Sequence, residues 1–300
     1  MAISLDYTTT SLARDSKVIY STQIESRVWQ ALKGALECTL CIYHTIAHFL
    51  VSIAVCPQAT ILSVFRDISS IEVPHSESLS AERKTIEVDG NEVDVIVMKQ
   101  KKHPHSHRWN IVAGGNGEGI LATSRHYDLT AQLGGNTIYF DYAGLRTRAK
   151  LIKAARAVMR YVESQGAKDI TAIGASLGGS ILREAYSLHH DDKAKAFDSR
   201  YAFIGDRTFS TIFDVISTMM PRIFAYLVHF LGWNLGSAVT NKFEFELAIQ
   251  DEHDRVIRRD AWLSDRGIIT QGHGHITPVV EQYPNIINRI NQFFLLKKAA

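Results

Sequence analysis

The feature that most constrains the fold is an alternation of short apolar runs with amphipathic stretches, which begins at about residue 108. The apolar runs, which predict buried β-strands, lie at 110–113, 137–141, 170–174, 201–204, 243–249 and 267–270. Between them, Leu151, Ala155, Val158 and Val162 recur at helical spacing. Strands that alternate with helices are typical of a mostly parallel sheet covered on both faces. The sequence therefore predicts an α/β fold.

Two further regions complete the predicted organisation. Alternating residues flank the turn sequence Asp-Gly-Asn at 89–91, and this pattern favours a β-hairpin. At 300 residues and 46% hydrophobic, the chain can bury one large core. We expect a helical N-terminal extension at 1–70 and one catalytic domain at 71–300, with a helical cap inserted at about 208–240.

The N-terminal extension contains a long uncharged stretch. No Asp, Glu, Lys or Arg lies between Cys38 and Phe65, which is long enough to resemble a membrane-spanning segment. His44, His48 and Pro57 interrupt it and favour a helical arm that packs on the domain or on a partner protein. Contact of residues 38–65 with a membrane surface stays open as the alternative.

Charge and cysteine content indicate which partners and which cellular compartment to expect. A net charge of +2 gives no field strong enough to predict a nucleic-acid partner. The three cysteines all lie in the uncharged stretch, and an odd number is poorly suited to a secreted disulfide framework. We expect a cytoplasmic or membrane-associated protein, without a cofactor or a metal ion.

The segment 174–179 is the strongest candidate for a reactive site. It reads Gly-Ala-Ser-Leu-Gly-Gly, follows an apolar strand and precedes a helical run, which is the setting of a nucleophile elbow. Gly174 and Gly178 leave room for the tight turn, and the turn exposes the hydroxyl of Ser176 at a helix N-terminus. The amide of Leu177 and that of Asn116, in the glycine-rich segment after the strand 110–113, are the candidate donors to an oxyanion.

A serine nucleophile needs a histidine base, and that histidine needs an acceptor for its second nitrogen. Candidates cluster after the last two predicted strands: the acids are Asp251, Glu252 and Asp254, and the bases are His273 and His275. Asp206 is a weaker candidate for the acid. The order serine, acid, base is the expected one, but residue type and order alone leave the choice within each cluster open.

This constellation resembles the α/β-hydrolase superfamily over residues of about 84–297. In that family the acid commonly lies in a Gly-x-x-Asp-x-Val/Ile pattern and the base in a Gly-x-Gly-His pattern. The segments 254–257 and 272–275 match these patterns, although Asp251 stands where the family usually has glycine. The resemblance implies that Asp254 is the acid and His275 the base. Tyr-Phe-Asp-Tyr-Ala-Gly at 139–144 also looks like a strand and turn of this family.

Within the superfamily, the chain looks like lipases, thioesterases and the lipase-like effectors that intracellular bacterial pathogens deliver into host cells. This implies hydrolysis of an ester or thioester, and the apolar residues of the predicted cap suit a lipid-like or acylated substrate. The cap could equally be a helical hairpin that only covers the sheet.

Two alternatives use the same residues differently. A noncatalytic scaffold could keep the elbow and bind a partner through its helical arm. A nucleotide-binding enzyme is suggested by Gly115, Gly117 and Gly119 after a strand, with Ala122 and Asp141 beyond them. The glycine spacing departs from the full fingerprint, and this alternative gives Ser176 no function.

Overall fold

The computed structural model describes residues 79–88, 90–103, 106–115, 122–140, 148–191, 200–230, 232–237, 239, 242–264 and 267–299. The extension predicted at 1–70, with the uncharged stretch 38–65, lies outside these residues.

Within the described residues, the chain forms eight strands and six α-helices. The strands are β1 (Leu79–Val88), β2 (Asn91–Gln100), β3 (Arg108–Ala113), β4 (Asn136–Phe140), β5 (Asp169–Ala175), β6 (Tyr201–Asp206), β7 (Phe245–Asp251) and β8 (Ile268–Thr270). The helices are α1 (Ala122–Leu133), α2 (Arg148–Ser164), α3 (Leu177–Asp191), α4 (Ile212–Met219), α5 (Arg222–Phe230) and α6 (Tyr283–Ala299). Two short 3-10 turns lie at Arg259–Ala261 and Val280–Gln282.

The strands form one sheet in the order β1-β2-β4-β3-β5-β6-β7-β8. The first two strands are a hairpin, with Val88 opposite Asn91, and β2 runs antiparallel to β4. The remaining neighbours are parallel. Gly90 has a φ of 69°, a left-handed conformation that glycine adopts without steric cost. The predicted α/β fold and its hairpin are therefore confirmed.

Helices cover both faces of the sheet because successive strand residues point to opposite sides. Ile111 packs on the face that carries α2, α3 and α4, whereas its neighbour Val112 packs on the face that carries α1 and α6. Because both faces of the central strands are buried, their sequences are continuous apolar runs and do not alternate with polar residues.

Strand β7 begins and ends two residues later than predicted. Asp251 is its last residue and pairs with Thr270 at the end of β8. Strands β7 and β8 extend through polar residues here because backbone pairing, and not hydrophobicity, sets where a strand ends. As a result, Asp251 belongs to the sheet and Asp254 to the loop that follows.

The segment after β6, where the sequence predicts a helical cap, contains α4 and α5, which differ in burial. Ile212, Val215 and Ile216 of α4 are buried, whereas α5 buries only Ala225 and Val228. Thr211 caps the N-terminus of α4 by accepting a hydrogen bond from an amide in its first turn. Helix α4, the first helix of this segment, is therefore part of the core.

An aromatic stack links helix α3 to the sheet. The ring of Phe243 lies 3.8 Å from that of Tyr186 and 5.0 Å from that of Phe203, centroid to centroid, with both pairs nearly parallel. All three side chains are buried.

We expect Phe243→Ala to lower the free energy of unfolding by about 3–5 kcal/mol, because it removes buried contacts and leaves a cavity. The control is Phe230→Ala in α5, where the side chain is 81% exposed, and it should change stability by less than about 0.5 kcal/mol. Urea unfolding measures both. Equal effects of the two substitutions would contradict this packing.

Candidate active site

Ser176 lies at a sharp reversal between β5 and α3. Its φ is 48°, in the left-handed region that non-glycine residues rarely adopt. Its amide donates to the carbonyl oxygen of Asp206 at 3.0 Å, which ties the turn to the end of β6. Backbone strain of this kind persists where the surroundings hold it in place, and it is common at functional sites.

Three glycines around Ser176 are required for space. A Cβ on Gly174 would overlap the backbone of Gly179, and a Cβ on Gly178 would overlap the carbonyl groups of Ala113 and Gly114. The predicted importance of Gly174 and Gly178 thus has a steric basis. Gly179, which sequence reasoning did not select, packs against the side chain of Thr208 in the same way.

His275 connects Ser176 to Asp254. Its Nε2 lies 3.1 Å from the Ser176 Oγ, and its Nδ1 lies 2.8 Å from Oδ2 of Asp254. The other carboxylate oxygen of Asp254 accepts the amides of Val256 and Ile257 at 2.8 and 2.9 Å. This leaves Oδ2 directed at the imidazole. The structure therefore joins the three side chains in one hydrogen-bonded chain.

Asp251 contacts the backbone of the loop that carries His275. Its carboxylate accepts hydrogen bonds from the amides of His253, His273 and Gly274 and from the hydroxyl of Thr270, at 2.9–3.1 Å. Burial raises its pKa, but these hydrogen bonds outweigh burial, so the pKa lies below its ordinary value. Asp251 thus accepts hydrogen bonds from loop amides, whereas the imidazole of His275 is hydrogen-bonded to Asp254.

His273, the alternative base, has a different partner. Its Nε2 lies 2.8 Å from a carboxylate oxygen of Glu281, in the 3-10 turn that precedes α6. Asp206, the weaker alternative acid, is buried between two arginines. Burial opposes its ionisation, but Arg125 and Arg207 hold its pKa well below the ordinary value. Neither residue joins the chain through His275.

The candidate oxyanion donors are only partly described. Leu177 is the first residue of α3, where amides have no acceptor within the helix and the helix dipole is positive. Asn116 lies outside the described residues, as do Gly117, Gly119 and Asp141 of the nucleotide-binding alternative.

Among the residues described, no group of three His, Cys, Asp or Glu side chains is placed to hold a metal ion. Of the described helices, none has the length and apolar character that a membrane crossing requires.

Sheet order, helices on both faces and a serine at a strand-to-helix elbow define an α/β-hydrolase fold. Est1E from Butyrivibrio proteoclasticus matches with a TM-score of 0.53 and 15% identity, over 73% of this chain and 99% of that chain. A putative hydrolase from Agrobacterium vitis matches with a TM-score of 0.52 and 16% identity, over 72% and 98%. These similarities establish the fold alone, and it is the α/β-hydrolase fold that the sequence predicted.

The family model described as Chlamydia CHLPS protein (DUF818) matches residues 32–261, and the chain belongs to this family. No curated protein matches the sequence significantly.

Asp251 gives a prediction for stability. We expect Asp251→Asn to lower the free energy of unfolding by about 1–3 kcal/mol at neutral pH, because an ionised acceptor shared by three backbone amides and a hydroxyl is replaced by an amide group with one acceptor oxygen. A carboxylate with a lowered pKa stabilises the fold above its unfolded pKa of about 4, and this stabilisation is lost as the pH falls through the folded pKa. The difference between the two proteins should therefore shrink in acid.

Chemical unfolding at a series of pH values measures this difference. Asp260, which is exposed, provides the control, and Asp260→Asn should have little effect at any pH. A difference for Asp251→Asn that stays constant down to about pH 3 would contradict the assigned role.

Proposed function

We propose that this protein is a serine hydrolase that cleaves a carboxylic ester or thioester through an acyl-enzyme on Ser176. The observation that carries the proposal is the hydrogen-bonded chain from the Ser176 Oγ through His275 to Asp254, with distances of 3.1 and 2.8 Å. A hydroxyl, an imidazole and a buried carboxylate in this order form the arrangement that activates serine for acyl transfer.

In the acylation step, His275 Nε2 takes the hydroxyl proton as Ser176 Oγ attacks the carbonyl carbon of the substrate. Asp254 stays ionised and accepts a hydrogen bond from Nδ1–H of His275, which fixes the tautomer and stabilises the imidazolium. The tetrahedral intermediate then expels an alcohol or thiol, and His275 returns the proton to this leaving group. In deacylation, His275 takes a proton from the water that attacks the acyl carbonyl on Ser176. The carboxylic acid is released as His275 returns the proton to the Ser176 Oγ.

The oxyanion is proposed to form beside the N-terminus of α3. The amide of Leu177 is the first donor, and the amide of Asn116 is the second. Support for the second donor comes from the preceding residues, because Ala113 pairs with Gly174 and its carbonyl is one that a Cβ on Gly178 would overlap. The segment that follows β3 therefore starts beside the elbow.

The proposal is tested by labelling with a fluorophosphonate, which reacts with activated serine. We expect the wild-type protein to be labelled on Ser176 and Ser176→Ala to remain unlabelled. Asp254→Asn and His275→Ala should stay folded and react slower by orders of magnitude, because the hydroxyl loses its base or the base loses its orientation.

Ser180 provides the matched control in the same helix. Its buried hydroxyl donates to the carbonyl of Phe209, away from His275, and Ser180→Ala should be labelled at the wild-type rate. Labelling that persists in Ser176→Ala would contradict the proposal. A folded wild-type protein that does not react would instead favour the noncatalytic scaffold.

A lipid-like or acylated substrate is the second part of the proposal. Helix α5 exposes Ile223, Tyr226 and Phe230 by 70, 60 and 81%, a cluster of large apolar side chains that suits an acyl chain or a lipid surface. The cap begins directly after Asp206, which pairs with Ala175 beside the nucleophile. Membrane contact through 38–65 and delivery into a host cell remain predictions from the sequence.

Chain-length preference tests this assignment. We expect the combined substitution Ile223→Ser and Phe230→Ser to lower kcat/KM for a long-chain p-nitrophenyl ester about tenfold relative to the acetate ester. The reason is that full burial of one apolar side chain of this size contributes about 1.5–3 kcal/mol, so partial burial of the two against an acyl chain suffices for the roughly 1.4 kcal/mol that corresponds to tenfold. Leu296→Ser in α6, where the side chain is 73% exposed, is the control and should leave the ratio unchanged. Equal losses for both esters would rule out an acyl contact.

A further inference from the structure

The loop that carries His275 has no regular secondary structure. It is defined here as the His275 loop, residues 271–277, between β8 and the turn Val280–Gln282. Such a segment must find partners for its backbone groups outside a helix or sheet ladder. Asp251 supplies an acceptor for two of its amides, as described above. The loop carbonyls need donors.

Two buried arginines supply these donors. Arg207 Nη1 donates to the carbonyl oxygens of Gly274 and Thr277, at 3.2 and 2.5 Å. Arg125 Nη2 donates to the carbonyl oxygen of His275 itself at 2.9 Å. The Arg207 guanidinium therefore holds the backbone on either side of the proposed base. The Arg125 guanidinium holds the backbone of the base itself.

Asp206 holds the two arginines in place. Its carboxylate pairs with Arg207 in a two-point contact of 2.8 and 2.9 Å, and Arg125 Nη2 lies 3.1 Å from Oδ2. His126 Nε2 approaches the same oxygen at 3.3 Å. All four side chains are buried. Such two-point pairs fix the orientation of a guanidinium as well as its charge.

The same aspartate also contacts the nucleophile turn, through its backbone. Its carbonyl oxygen accepts the amide of Ser176 at 3.0 Å. One residue at the end of β6 is thus hydrogen-bonded to the elbow by its main chain and, through Arg207 and Arg125, to the His275 loop by its side chain.

Backbone conformation gives an independent indication. Within the described part of the chain, Ser176 and Arg207 are the non-glycine residues with positive φ, at 48° and 47°. Each directly follows a strand, and the last residues of those strands, Ala175 and Asp206, are paired. A left-handed residue costs roughly 1–2 kcal/mol, and such strain is typical of functional sites. The strained turn at Arg207 directs a buried guanidinium to the His275 loop.

We propose that Asp206, Arg207 and Arg125 are positioning residues that set the place of the His275 imidazole relative to the Ser176 hydroxyl. This inference rests on the proposed function of Ser176 and His275. None of the three contacts the reacting atoms, and they act through the backbone of the His275 loop. A displacement of about 1 Å in a catalytic group can cost about a hundredfold in rate, so loosening this loop should slow acylation.

The test uses Arg125→Lys and Arg207→Lys in the full chain, which keep the positive charge but lose the planar fork. We expect fluorophosphonate labelling of Ser176 to slow about ten- to a hundredfold in each. Deuterium uptake should rise at the amides of the His275 loop, and the low-field proton resonance of His275 Nδ1–H, assigned by its loss in His275→Ala, should weaken or broaden.

Arg108→Lys is the matched control. Arg108 is the first residue of β3, at the end of the parallel strands opposite to Ser176. It donates to Oδ1 of Asn291 in α6 at 2.8 Å. Its replacement should leave the labelling rate, the loop exchange and the resonance as in the wild-type protein. If Arg207→Lys does not fold, Arg125→Lys decides, because it removes one carbonyl contact and leaves the Asp206–Arg207 pair intact.

Three outcomes would overturn the inference: wild-type values for both variants, exchange that rises uniformly along the chain, or the absence of a folded state in both variants. The last two would make the arginines structural. If the wild-type protein fails to label at Ser176, the proposed function is wrong, whereas loop exchange and the resonance still test whether the arginines position His275.

Discussion

The left-handed turn at Ser176 is the constraint on which the rest of the structure depends. It reverses the chain between β5 and α3, and it leaves no room for a Cβ on Gly174, Gly178 or Gly179. The strain is stabilised from outside the turn, because the Ser176 amide is bonded to the end of the neighbouring strand. Tight packing at the carboxyl ends of β3, β5 and β6 therefore fixes the position of the Ser176 hydroxyl.

The remaining groups of the site reach that hydroxyl because parallel strands all end at the same edge. Asp254 follows β7 and His275 follows β8, so residues distant in sequence meet across a few ångströms. The loops that carry Asp254 and His275 are held by different hydrogen bonds. Asp254 is held by adjacent amides, whereas the His275 loop depends on Asp251 and on arginines from other elements. The proposed base is thus the part of the site most dependent on tertiary contacts.

Local sequence patterns predicted the strands, the hairpin and the elbow, because periodicity and glycine spacing reflect local geometry. The choice of Asp254 over Asp251 needed family resemblance, since both carboxylates follow the same predicted strand, 243–249. Arg125 was missed because an ion pair between distant elements leaves no local signal. Asp206 was visible as a candidate acid, but its contacts with Arg207 and Arg125, and theirs with the His275 loop, were not. Likewise, apolar composition did not separate the buried helix α4 from the exposed α5.

The most direct test of the account is rapid-quench mass spectrometry of the protein during turnover of a p-nitrophenyl ester. The account predicts that the peptide containing Ser176 gains the mass of the acyl group, and that this adduct forms and decays at rates compatible with turnover. Hydrolysis that proceeds without any acyl group on Ser176, or with the group on a different residue, would contradict it.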